Sequence, residues 1–284
     1  MRAARVPVTV GVLWAAFALL SPIAMARYEP FLIAPGIGVG IRAPSPFGTS
    51  PAGAPTLAQI YQAPLADVIV AATGRSLVLL AGVAVFSLTV GLLLGIAAAL
   101  LRRRALRSGA ILAATSVVAA IPSFFLAYFL QIAIIFIGGA AGRTVLPVFG
   151  FGLDGHLVLP LLALSAPAVA MTAQLTAIRM GEVFDADFVA TANAKGLLPS
   201  WIIRVHILPH VLPVSLEAVG GGLRVAVAGL PIVEYILVWN GIGFVALQSI
   251  ALRDPVAFAA CGVVLAGLFS LSTLLLDIRR PALA

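Results

Sequence analysis

Six long apolar runs divide the chain, each of about 20 residues or more, enough to cross roughly 30 Å of hydrocarbon as a helix. They predict spans over residues 6–25, 76–101, 110–137, 157–178, 211–238 and 256–276. Pro122 falls inside the third run and is expected to kink it. Strict apolar/polar alternation is absent, which argues against a membrane β-barrel. Polar positions gather at the ends of the runs and in one amphipathic interruption, residues 182–209, between the fourth and fifth.

Composition agrees with that pattern. Hydrophobic residues make up 62% of the 284 and charged residues only 10%, against about 25% charged in soluble domains. The chain therefore reads as an all-α, polytopic membrane protein. Its net charge of +7 raises nucleic acid as a partner, but no basic face with interleaved aromatics exists. The 17 basic residues instead cluster beside apolar runs, where the positive-inside rule explains them. With both termini cytoplasmic, the inner side holds Arg2, Arg5, Arg102, Arg103, Arg104, Arg107, Arg179, Lys195, Arg204, Arg279 and Arg280. The outer side then holds Arg27, Arg42, Arg75, Arg143 and Arg253, with Arg224 inside the fifth span. Residues 27–64, rich in Pro and Gly, form an external irregular segment in this topology. The first run also has the features of a signal peptide, with Ala24-Met25-Ala26 as a cleavage site. Retention is the expectation, because cleavage leaves five spans and weakens the orientation argument. The division that follows is 1–74, an N-terminal span and external segment, and 75–284, a core of five spans with the loop 182–209.

The polar loop reads FVATANAKGLLPSWIIRVHILP from Phe188 to Pro209. Gly196 permits a sharp turn between two helical pieces, and Pro199 suits the first turn of the second. Here the chain resembles the inner-membrane permease subunits of bacterial ABC importers, in the dipeptide/oligopeptide and nickel group. That family's loop reads EAA, three residues, Gly, nine residues, Ile-x-Leu-Pro. Ala190-Thr191-Ala192 stand at the EAA positions, Gly196 at the glycine, His206 at the isoleucine, and Leu208-Pro209 at the close. Glu is missing from the first position, and ANAKGL with HILP is similar to the peptide group's own version. VLPLLALSAPAVA (158–170) and GLPIVEYILVWNGIGFVALQSIALRDP (229–255) extend the likeness, as do Leu275-Leu276-Asp277 and Arg279-Arg280. The first 70 residues resemble the family only faintly.

The resemblance implies a type I permease fold with a coupling-helix loop and a place in the bacterial cytoplasmic membrane. It implies import of di- or oligopeptides or similar solutes, with a second homologous permease, two ATP-binding cassette subunits and an external solute-binding protein as partners. ATP and magnesium would sit on the partner subunits. Ala190, Ala192, Lys195, Gly196, Leu197, Arg204, Leu208 and Pro209 are the residues implied to couple to the ATPase; for Lys195 and Arg204 the alternative is an inside-positive anchor.

Glu217, Arg224 and Glu234 lie inside the fifth run, where ionisable groups are expensive and should face a cavity or a partner. Glu234 reads first as an acceptor capping the turn at Asn240-Gly241, and otherwise as pathway lining. Gly220-Gly221-Gly222 favours close helix packing. His206 and His210 have metal-ligand spacing, but Pro209 stands between them and no third ligand is evident, so no metal site is expected. His156 beside Asp154 reads as an ordinary loop residue. Neither a Walker-type phosphate loop nor a Ser nucleophile elbow occurs, so ATP hydrolysis and acyl transfer are not expected of this chain. Cys261 alone cannot make a disulfide framework and reads as a buried apolar residue. The competing readings are a secondary transporter or channel uncoupled from ATP, for which no internal repeat is seen, and an intramembrane enzyme, for which no acid–base set survives.

Overall fold

The computed structural model describes residues 55–277, with side chains through residue 273. The first apolar run, the 24–26 cleavage site, most of the external segment and Arg279-Arg280 lie outside the described residues. Among these, every regular element is helical. In chain order they are α1 (Leu57–Tyr61), α2 (Leu65–Leu100), α3 (Ala105–Ala120), α4 (Ser123–Ala141), α5 (Val158–Phe184), α6 (Asp187–Ala194), α7 (Pro199–Leu237), α8 (Ile242–Ala251) and α9 (Pro255–Asp277). Five helical stretches are long and apolar enough to cross a membrane: α2, α4, α5 with the 3-10 turn before it, α7 and α9.

Four spans differ from the expectation; the fourth, expected to stop at residue 178, runs on to Phe184 and so takes in the start of the 182–209 stretch. The second begins at Leu65, behind Pro64, rather than at residue 76. Arg75 and Ser76 looked like a water-facing boundary, but they lie within the helix and are partnered from outside it, by the Asn240 carbonyl and the Glu234 carboxylate. The division between residues 74 and 75 therefore falls inside α2. At 36 residues, α2 is about 54 Å long at 1.5 Å per residue, so it tilts or projects beyond the hydrocarbon.

The third span is broken rather than kinked. Ile121 (φ −77°, ψ 123°) and Pro122 (φ −53°, ψ 136°) are both extended. Proline disfavours the helical conformation in the residue before it and offers no N–H to bridge the gap. The resulting α3 buries no residue fully. It is tied back by the Ser108 hydroxyl donating to the Ala98 carbonyl (2.9 Å) and by Gln174 Nε2 on α5 donating to Ser116 Oγ (2.8 Å).

The fifth span does not start at residue 211; α7 runs unbroken from the polar loop, with a π-helical turn over Ile202–Ile207. Pro209 follows one residue after that turn, behind Leu208. Its ring crowds the carbonyl four residues back and it lacks the N–H that an α-helix would pair there, which a wider turn relieves.

The core is a three-helix seam of α2, α5 and α7, closed by small residues. A Cβ on Gly91 would stand 2.6 Å from Thr172 Cβ, and one on Gly95 2.5 Å from Thr176 Cβ. One on Gly222 would overlap Ala168, so this member of the triple glycine does serve close packing. Lipid gives no hydrophobic push between helices, so backbone approach and interhelical hydrogen bonds carry such a contact. The buried hydroxyls of Thr176 and Ser215, 2.7 Å apart, supply one. Cys261 is buried in the cluster where α9 meets the other helices.

Candidate coupling site

The loop after α5 is a short helix, a tight reversal and the root of α7. Ala186 is extended and opens α6, with Asp187 in the first turn where the helix dipole favours a carboxylate. At the other end Gly196 is left-handed (φ +73°). Its amide donates to the Asn193 carbonyl (3.0 Å), and that of Leu197 donates to the Ala192 carbonyl (3.3 Å). This pair is the Schellman arrangement, which needs a left-handed residue at the Gly196 position. Leu198 returns to extended backbone, and Pro199 starts α7 as its first residue.

The loop has two faces. Val189, Ala192, Ile202, Ile207 and Val211 turn inward and form one cluster with Ala99 of α2 and Met180 and Val183 of α5. Ala190, Lys195, Gly196, Leu197, Arg204 and Pro209 lie on the exposed side, and Leu208 is half-buried. Ala192 is the exception among the residues assigned to partner contact: at 5% exposure it supports the turn from within and offers no surface. Two residues beside Gly196 carried no assigned role although the exposed face centres on them. Leu198 is 71% and Trp201 55% exposed. The available signal was a Leu-Leu-Pro-x-Trp stretch, costly to leave in water.

Charges frame this end of the bundle. Arg102 after α2 reaches Asp185 Oδ1 after α5 (2.9 Å) and lies over the Phe184 ring (5.0 Å). Arg179 pairs with Glu182 one turn along α5 (2.8 Å). Both pairs are solvent-exposed, each worth about 0–1 kcal/mol. They put the α2 and α5 ends on the same side as the loop. His206 is half-buried and His210 exposed, with the His210 ring 5.3 Å from that of Phe188.

The polar residues of α7 part company. Glu217 is exposed and Arg224 half-buried, whereas Glu234 is fully buried. Glu234 does not cap the Asn240-Gly241 turn itself. Its Oε2 accepts from the amides of Gly243 (2.8 Å) and Phe244 (3.1 Å), within α8, and its Oε1 accepts from the Ser76 hydroxyl (2.6 Å). At the far end of the molecule Asp154 and His156 form a pair, with Nδ1 2.6 Å from Oδ1.

Residues 91–284 match the family described as binding-protein-dependent transport system inner membrane component. The chain belongs to this family. It is 37% identical over 99 residues to the di/tripeptide transport system permease protein DppB of Pseudomonas aeruginosa, covering 35% of this chain and 30% of that protein. Over 201 residues it is 28% identical to the glutathione transport system permease protein GsiC of Salmonella choleraesuis, 70% of this chain and 63% of the relative. A putative peptide permease protein of Brucella ovis is 29% identical over 128 residues, 44% and 40% of the two chains. The chain thus spans less than two thirds of the length of each of these relatives. Membership makes it a membrane-spanning transporter subunit, in keeping with its apolar helices.

Proposed function

We propose that the chain is the permease subunit of an ATP-driven importer of the bacterial cytoplasmic membrane, with the 182–209 loop on the cytoplasmic side. A second homologous permease completes the pathway, two ATP-binding cassette subunits bind ATP and magnesium, and an external binding protein delivers di- or oligopeptides or similar solutes. The observation that carries this reading is the two-faced loop. Its inner face is fused to the ends of α2, α5 and α7, while its outer face presents Leu198 and Trp201 around a glycine turn. Leu197, Leu198 and Trp201 would fill an apolar cleft on the ATPase subunit, and Lys195 and Arg204 would meet its acidic groups. Closure of the nucleotide-binding subunits then displaces the loop, and the packed cluster passes that displacement to three spans. Glu217 and Arg224, ionisable groups on one span, are assigned to a hydrated pathway or to the second permease. A channel or secondary transporter leaves the exposed apolar face of the loop without a use.

Gly196 and Gly142 supply a matched test. Both are left-handed (φ +73° and +63°), and a side chain on either would point into open space. Gly142 lies between α4 and α5, at the end of the bundle opposite the loop. Gly196→Trp should insert in the membrane yet no longer co-purify with the ATPase subunits, while Gly142→Trp should retain them. Retention of those subunits by Gly196→Trp counts against the docking assignment.

A further inference from the structure

The far end of α7 carries a second constructed feature that the coupling role does not use. Three successive amides at the start of α8, those of Ile242, Gly243 and Phe244, all end on side chains from two long helices. Ile242 donates to Ser76 Oγ of α2 (2.8 Å), and the other two donate to Glu234 of α7. The first amides of a helix have no partner inside it; here α2 and α7 supply partners for them. The fit leaves no slack. A Cβ on Gly241 would overlap Glu234 Oε1 and Ser76 Oγ, and one on Gly243 would overlap Pro231 of α7.

The chain leading into α8 is held in the same way. Val238 and Asn240 are both left-handed (φ +55° each). For the β-branched Val238 this is a strained state that persists only where its surroundings over-determine it. Arg75 Nη1 donates to the Asn240 carbonyl (3.1 Å), and the buried Trp239 returns its indole N–H to the Arg75 carbonyl (3.2 Å). Phe151 closes the group, edge-on to Trp239 at 4.9 Å and under the Arg75 guanidinium at 5.2 Å.

We propose that Glu234 is a positioning residue: by accepting the α8 amides it fixes α8 to α2 and α7, so that the end of the bundle opposite the loop moves only with those helices. α8 is in this view no independent lid. The consequence for transport rests on the permease reading above; the consequence for structure does not. What matters is acceptor capacity rather than charge. A glutamine keeps one oxygen for the two amides and can donate from its nitrogen to Ser76, whereas a methionine of similar size keeps neither.

The test is amide hydrogen exchange on the purified full complex, together with ATP hydrolysis measured with and without the external binding protein. Glu234→Met should speed exchange at Gly243 and Phe244 by about tenfold or more. It should also lower the ratio of stimulated to basal hydrolysis. Glu234→Gln should keep both near the unsubstituted protein. Unchanged exchange in Glu234→Met overturns the proposal. So does a Glu234→Gln protein as impaired as Glu234→Met, since charge would then be the requirement. If Glu234→Met fails to fold, Ser76→Ala decides: exchange should rise at Ile242 more than at Phe244, and a uniform rise or none overturns the proposal. Lack of stimulated hydrolysis in the unsubstituted complex, with the exchange pattern as expected, supports the positioning role and overturns only the permease reading.

Discussion

Asp154 shows how a single contact sets a pH window. Its carboxylate receives the backbone amide of His156 (3.2 Å) and lies 2.6 Å from the imidazole Nδ1. These hydrogen bonds from His156 hold the acid below its ordinary range. A depressed folded value stabilises the loop fully above the unfolded value of about 4, and the benefit is lost as pH falls through the lower folded value. Amide protection over residues 154–157 should therefore hold down to about pH 4 and decline as pH falls further. In Asp154→Asn that decline should be absent, as read by exchange at several pH values. Tyr61 lies at the same end. Burial raises its pKa, with Arg75 opposing, and its hydroxyl donates to Gln248 at 2.7 Å.

Glycines separate the helices that must touch from those that need not. A side chain on Gly95 meets Thr176 and the Ala173 carbonyl, at 2.5 and 2.6 Å. Gly95→Val should therefore destabilise the detergent-solubilised protein by about 1–3 kcal/mol. Gly74 lies on the same helix with nothing within 4 Å. Gly74→Ala should be neutral or stabilise by up to about 1 kcal/mol, since alanine is the better helix former. Chemical unfolding of both variants checks the pair. Hydropathy revealed the helices because lipid imposes length and apolarity on each span. It misplaced those boundaries where a polar residue is satisfied from elsewhere: Arg75 and Ser76 looked like a helix start because their partners, Asn240 and Glu234, lie 165 and 158 residues away. The short α8 was hidden for a similar reason, since its apolar residues merge with the turn before it. By contrast, the reversal at Gly196 was legible, because glycine and a following proline dictate it locally.

At the scale of the whole molecule, α2 meets α7 at both ends. Near the polar loop, Ala99 of α2 shares a buried cluster with Val211 of α7; at the far end, Ser76 and Arg75 hold Glu234 and Asn240. Between them α5 is wedged in by Gly91, Gly95 and the Thr176–Ser215 bond. Under the proposed coupling role, a displacement of the loop would reach the opposite end through a braced frame rather than along one proline-containing helix. The frame also fixes which features share a side: Gly196 goes with Arg102, and Gly142 with Asp154. Cys261, the one thiol of the chain, is sealed inside. The native sequence is consequently silent towards maleimides while folded, and reporters can be added without first removing a cysteine. A membrane-impermeant maleimide should modify Gly196→Cys only in inverted vesicles and Gly142→Cys only in right-side-out ones; the reverse pattern would mean the molecule sits in the membrane the other way up.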